Sequence, residues 1–184
     1  MQQQRRSRFI LGLLSLGLLA GVPLTAGPAQ AVDAVGPYYA EPSWDRKMAP
    51  VNRFVVLTDW NSEAVLDKET GLVWERSPTT TPTITQNWSD ARFTCANKNI
   101  GGVGRRGWRL PSMPELASLV DSNNSHPVLP TSHPFTGVQT SFPYWSATTN
   151  AEFPTFAWVV NFNNGVVGNH FFDKTSLIFI WCVR

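Results

Sequence analysis

Apolar and polar positions alternate with a period of two near both ends of the region from residue 53 to 184, and between those stretches the period lengthens to that of a helix. Arg53–Leu57, Glu63–Asp67 and Leu72–Arg76 read as three short strands. Thr58–Ser62 and Lys68–Gly71 supply the turns between them, Gly71 being free to take positive φ. These runs predict an antiparallel meander.

Beyond a Thr/Pro linker at Pro78–Pro82, Trp88, Ala91, Arg92 and Cys95 fall at i, i+3, i+4 and i+7 on one helical face. Asn87 is placed to cap that helix, with Asp90 favourable in its first turn. A second start is written in Ser112-Met113-Pro114-Glu115, a capping box with proline in the first turn. Leu116, Leu119 and Val120 form the stripe of this second helix, which is expected to run to about Asp121. A long loop from Ser122 to Pro143 follows, carrying His126 and His133.

Strands resume at Tyr144–Ala147 and Phe156–Phe162, where Phe156, Trp158, Val160 and Phe162 alternate onto one face. Asn164-Gly165 predicts a two-residue type I′ hairpin, with Val166–Phe171 pairing back and Leu177–Val183 closing the sheet. The predicted class is α+β: two helices inserted in antiparallel sheet.

The N-terminus changes the charge argument. Arg5, Arg6 and Arg8 precede an apolar run from Phe9 to Val22, and Ala29-Gln30-Ala31 offers a small-x-small cleavage site. Residues 1–31 read as a secretory signal peptide, in preference to a retained anchor or to a twin-arginine signal, whose pattern the charged Arg8 breaks. Without them the chain carries 12 basic and 13 acidic residues, so no global attraction to nucleic acid is expected and no membrane-spanning segment is left. Residues 32–52, with Pro37, Pro42 and Pro50, read as an extended lead-in, leaving 53–184 as one domain. The eight tryptophans and eleven phenylalanines suit a loop-rich core of large aromatics. In an exported chain the two cysteines, Cys95 and Cys182, most simply form one disulfide.

Several ordered blocks then carry a resemblance. They are Asp67-x3-Gly71-Leu72-x-Trp74, Trp88-x2-Ala91-x3-Cys95 and Gly107-Trp108-Arg109-Leu110-Pro111-Ser112-x2-Glu115-Leu116-x2-Leu119-x-Asp121. Tyr144-Trp145-Ser146-Ala147-Thr148, Ala157-Trp158-x-Val160-x-Phe162-x2-Gly165 and Cys182-Val183-Arg184 complete the set. From about Arg53 to Arg184 the chain resembles the Legionella collagen-like protein C-terminal (Lcl C-terminal) domain family, a bacterial exported module. The resemblance implies a variant of the C-type lectin fold, with a helix and the last strand joined by the long disulfide. It also implies surface recognition of sulfated glycans. No collagen-like Gly-x-y tract is present, so trimerisation does not carry over and the oligomeric state stays open.

The candidate chemistry is that of binding. Lys98, Arg105 and Arg106 flank Gly101-Gly102-x-Gly104 and, with Lys174, offer charge-assisted contacts to sulfated or other anionic glycans; the bland alternative is a solvated loop. Trp108 and Arg109 are read as packing and as pinning the turn into the second helix rather than as ligand contacts, and Trp145, Trp158 and Trp181 as core. Asn161-Phe162-Asn163-Asn164-Gly165 has too few carboxylates nearby for a calcium-dependent sugar site, so Asn163 and Asn164 are read as turn residues. His126, His133 and His170 lack metal-ligand spacing, and Ser146 and Thr148 lack a base partner. The sequence therefore predicts a module that is not an enzyme and needs no cofactor. An envelope or host surface protein, met through the loops Ser122–Pro143 and Thr148–Pro154, is the alternative partner.

Overall fold

The computed structural model describes residues 48–78, 85–102, 104–168 and 172–184; the leader, most of the lead-in and most of the Thr/Pro linker lie outside the described residues. The described residues belong to one compact unit, Val35–Arg184. Among them no helix is long and apolar enough to cross a membrane.

The meander forms in the predicted order, with β1 (Phe54–Val56), β2 (Ala64–Asp67) and β3 (Val73–Glu75) pairing antiparallel as β1-β2-β3. Its entry differs from the expected extended lead-in, because Pro50–Arg53 forms one helical turn, α1, with proline at its start. That turn seats Arg53, which is 7% exposed, against the fully buried Asp67. Arg53 Nε and Nη2 donate to Asp67 Oδ1 and Oδ2 at 2.9 and 2.7 Å, and Nη2 also reaches the Ser118 carbonyl at 2.9 Å.

Both helices carry the predicted caps. In α2 (Trp88–Asn97) the Asn87 side chain accepts from the Asp90 N–H at 2.9 Å and its amide donates to the Asp90 carboxylate at 2.7 Å. In α3 (Met113–Ala117) Ser112 and Glu115 form the complete reciprocal box. α3 ends four residues before the expected Asp121. The Ser118 hydroxyl donates to the Glu115 carbonyl, Arg53 takes the Ser118 carbonyl, and the chain tightens into i→i+3 bonds at Leu119 and Val120.

The second sheet has order β4-β5-β6, comprising β4 (Tyr144–Thr149), β5 (Ala157–Val160) and β6 (Val167–Gly168). Two expectations about its hairpin are corrected. Gly165 has φ +76°, but Asn164 is not among the residues at positive φ, so the turn is not type I′. Instead the Gly165 N–H donates to the Asn161 carbonyl, closing a wider turn that lets Phe162 sink fully into the core. The stripe along β5 is not one-sided either: Ala157 and Val159 are buried in one apolar cluster, Val160 and Phe162 in another, and Phe156 and Trp158 are only half-buried. Both faces are covered, so alternation sorts side chains between two cores rather than between core and water.

The same sorting governs the last segment. Ile178, Ile180 and Cys182 enter one cluster, while Phe179, Trp181 and Val183 enter the other. This segment forms no continuous strand; it makes isolated bridges, parallel to β4 at Tyr144–Phe179 and antiparallel at Gln86–Ile178, Trp74–Val183 and Arg109–Val183. It thereby stitches the two sheets together. The Cys95–Cys182 disulfide, with Cα atoms 5.5 Å apart across 87 residues of sequence, ties it to α2.

Candidate functional site

Trp60 ends a 3₁₀ turn, Thr58–Trp60, after which Asn61 and Ser62 both take positive φ. Its indole packs edge-on against Trp108 with ring centroids 6.2 Å apart. The loop after α2 touches the other side of this side chain at Gly101, where φ is +84° and an added Cβ would lie 2.7 Å from Trp60 Cβ. Only glycine fits there. The Gly101 N–H donates to Glu63 Oε2 at 2.8 Å, fixing the loop that delivers Arg105. The Arg105 guanidinium lies 4.4 Å from the Trp60 centroid and donates to the Asp59 carbonyl at 2.9 Å. Arg184 approaches the same ring at 5.3 Å. Arg106 is exposed beside Arg105, and none of these three arginines makes an ion pair among the described residues.

A second indole repeats the arrangement. Trp88 opens α2 and anchors its ring by donating to the Ser146 carbonyl at 2.8 Å. Lys174 Nζ sits 4.2 Å from the ring centroid and also donates to Thr149 Oγ1, while Arg92, one helical turn on, lies 4.6 Å away. Arg92 is exposed rather than on the buried face that the spacing predicted. Trp60 and Trp88 both pack at the rim of the cluster that contains the disulfide.

Lys98 does not join Arg105 at the Trp60 ring. It is turned into a cleft as the partner of Glu75 Oε1, its side chain 19% exposed. Burial raises the Glu75 carboxyl above its ordinary range, and Lys98 opposes that shift. The four cations singled out in the sequence thus take three partners: Glu75 for Lys98, Trp60 for Arg105 and Trp88 for Lys174, with Arg106 exposed. Arg92, Arg184 and both indole platforms were missed by sequence reasoning. The i, i+4 spacing of Trp88 and Arg92 was the one signal available, and it pointed equally to a core face.

The remaining motif residues are architectural in placement. Gly71 takes φ +73°, Trp74, Trp145 and Trp181 are fully buried, and Trp108 is 2% exposed with its N–H on the Arg105 carbonyl. Arg109 forks onto Glu115 through two 2.7 Å bonds, next to buried Leu110 and Pro111. Asn163 and Asn164 sit in the hairpin, where the Asn161 and Asn164 side-chain oxygens accept N–H groups two residues on. His126 is exposed, His133 stacks on Phe135 with its pKa lowered by burial, and His170 lies outside the described residues. Among the described residues no three His, Cys, Asp or Glu side chains gather in a metal-holding group.

The sequence model of the Lcl C-terminal domain matches residues 63–184. The chain belongs to the Lcl C-terminal domain family. The match begins at Glu63, yet this Lcl C-terminal domain chain extends its first sheet upstream, since β1 pairs with β2 across Phe54–Asp67 to Val56–Val65. No curated protein matches the chain.

Proposed function

We propose that the protein is an exported, non-catalytic recognition module that binds anionic glycans without calcium through the Trp60 and Trp88 platforms. The observation that carries this reading is the repeated pairing of one indole with two cations at the rim of one apolar cluster. An indole face positions a cation at little entropic cost, and guanidinium groups match sulfate and carboxylate by their fork geometry. Arg105, Arg106 and Arg184 are free of carboxylate partners among the described residues, which leaves their charge available to a polyanion. The C-type-lectin-like architecture and the place at or beyond the cell envelope belong to the same proposal, supported by the family, by two short helices set against antiparallel sheet and by the long disulfide.

The test is binding of the purified protein to immobilised sulfated and neutral glycans, with a salt titration and a chelator arm. Salt-sensitive, chelator-insensitive binding that is lost in Arg105→Ala/Arg106→Ala supports the reading. Absence of binding to every glycan favours a second reading, an envelope or host protein as partner. That alternative rests on Phe142 and Phe153, which are 50% and 51% exposed on the two loops that the sequence marked for such contacts.

A further inference from the structure

The Glu75–Lys98 cleft has a chemistry of its own. It holds about 490 Å³ between the ends of β2 and β3, the residues that follow α2, and Thr136. That is a usual size for a small-molecule pocket, and it contrasts with the platforms, which are surface features. Its walls carry two acids and two bases: Glu63, Glu75, Arg76 and Lys98. A polyanion gains nothing from a site whose charges cancel. A small molecule bearing both signs gains at both ends.

The groups are arranged with bonding capacity left over. Glu75 is 3% exposed; Lys98 satisfies Oε1, but Oε2 is closed off from water with no donor. A buried acceptor without a donor is costly, and more so when charged. The Arg76 guanidinium donates from Nε to the Pro134 carbonyl and from Nη1 to the Ser62 carbonyl. No described acceptor is bonded to its Nη2. Glu63 uses Oε2 on the Gly101 N–H and is exposed to solvent. Asn99 lines the same cleft with an exposed side-chain amide. A buried ion pair is a poor device for stability alone, since apolar residues of similar volume commonly do as well. Its position in a cleft, with one carboxylate oxygen undersupplied, fits a binding role better.

We propose that this cleft binds a small zwitterion of amino-acid type, its ammonium group taken by the Glu75 and Glu63 carboxylates and its carboxylate by Lys98, Arg76 and Asn99. Oε2 has no water-accessible surface while Lys98 covers Glu75, so the proposal requires Lys98 to swing onto the ligand carboxylate and the ligand ammonium to take its place at Glu75, supplying the donor that Oε2 lacks. Ile100 is the apolar wall against which a short side chain rests. The proposal uses none of Trp60, Arg105, Arg106, Arg184, Trp88 or Lys174, and it meets the Trp60 platform at Glu63 alone, which also holds the Gly101 N–H.

Isothermal titration of the intact protein with a panel of L-α-amino acids tests it, alongside two half-ligands, the amino-acid methyl esters and simple carboxylates. At least one amino acid is expected to saturate the protein and raise its melting temperature. Both half-ligands should bind about tenfold more weakly or worse, the loss of one charge-assisted contact. Lys98→Met and Glu75→Gln should remove binding. Because Glu75 is buried, the exposed Glu63→Gln is the variant that keeps the test sound if Glu75→Gln misfolds, and it too should weaken binding. Absence of saturation by every amino acid at about 10 mM, enough to fill a millimolar site, overturns the proposal. So does binding that survives unchanged in both Lys98→Met and Glu63→Gln, or binding of the half-ligands as tight as that of the zwitterion. Binding of sulfated glycan read in Lys98→Met, which leaves the Glu63–Gly101 bond and the platforms in place, separates failure here from failure of the platform reading.

Discussion

Arg53 and Asp67 form a two-pronged ion pair inside the protein, 2.9 and 2.7 Å long, that clamps the helical turn before β1 to the end of β2. Asp67 also accepts from the Glu69 N–H and the Thr70 hydroxyl, so both of its oxygens are shared between the clamp and the turn. Arg53 is further held by Glu69 at 3.1 Å and by the Ser118 carbonyl at the end of α3. One guanidinium therefore joins α1, the β2–β3 turn and α3.

Arg53→Ala should destabilise the protein strongly, by about 3–5 kcal/mol, because it leaves the fully buried Asp67 charged and without its partner. Arg53→Ala/Asp67→Asn should recover a measurable part of the loss, since the stranded charge is then gone. Urea unfolding of the two variants against the parent checks both statements. A single variant within experimental error of the parent would show that the clamp is dispensable.

The disulfide should matter through the segment it holds. Ile178–Val183 depends on isolated bridges rather than a continuous ladder, yet it supplies residues to both clusters. Reduction, or Cys95→Ala/Cys182→Ala, should cost about 2–5 kcal/mol, as expected for the loss of a disulfide that closes a long loop. Thermal unfolding with reductant, with thiol release measured in the same sample, is the check. An unchanged midpoint after verified thiol release would contradict the structural role of the bond.

What was legible in the sequence and what was not divides along a physical line. Caps are local chemistry, so Asn87 and the Ser112–Glu115 box were readable, as were the meander turns at Gly71. The cysteine pair was readable because only one pairing exists. Period two was readable along 156–162 and 177–183, but its meaning was not: whether the second face meets water or a second cluster depends on elements distant in sequence. The site was least legible. Arg105 finds Trp60, and Lys98 finds Glu75, across 45 and 23 residues respectively, and no spacing rule encodes such partners. Proximity of Lys98 to Arg105 in sequence suggested one basic patch, whereas the glycines between them bend the chain so that the two meet different partners.

Acid should act on two carboxylates in opposite directions. The hydrogen bonds from Arg109, helped by those with Ser112, hold Glu115 below the ordinary 4.5 against the effect of burial. Glu115 therefore contributes stability that is complete above 4.5 and is lost as pH falls through its lowered folded value. Burial holds Glu75 above 4.5 against the pull of Lys98, so the folded state binds that proton first and stability gained from it grows as pH falls through the raised value. Glu115→Gln should consequently flatten the acid limb of a stability–pH profile, and Glu75→Gln should steepen it. Denaturant midpoints measured from about pH 7 down to about pH 3 decide the matter. Parallel profiles for both variants and the parent would refute the assignment.

Two glycines of the loop after α2 share a backbone conformation but not an environment, which isolates the contact that builds the Trp60 platform. Gly101 and Gly104 both have φ +84°, so alanine at either position carries a similar left-handed strain of about 1–2 kcal/mol. At Gly104 an added Cβ meets nothing within 4 Å, while at Gly101 it would lie 2.7 Å from Trp60 Cβ and 2.9 Å from Trp60 Cε3. Gly101→Ala must displace Trp60, and with it the ring on which Arg105 and Arg184 rest. It should therefore be less stable than Gly104→Ala, by about 1–3 kcal/mol for a forced contact in packed surroundings. It should also bind sulfated glycan more weakly, whereas Gly104→Ala should bind as the parent does. Unfolding curves and glycan binding measured on both variants separate strain from contact. Equal stability and equal binding would mean that the close approach of Gly101 to Trp60 does not set the platform.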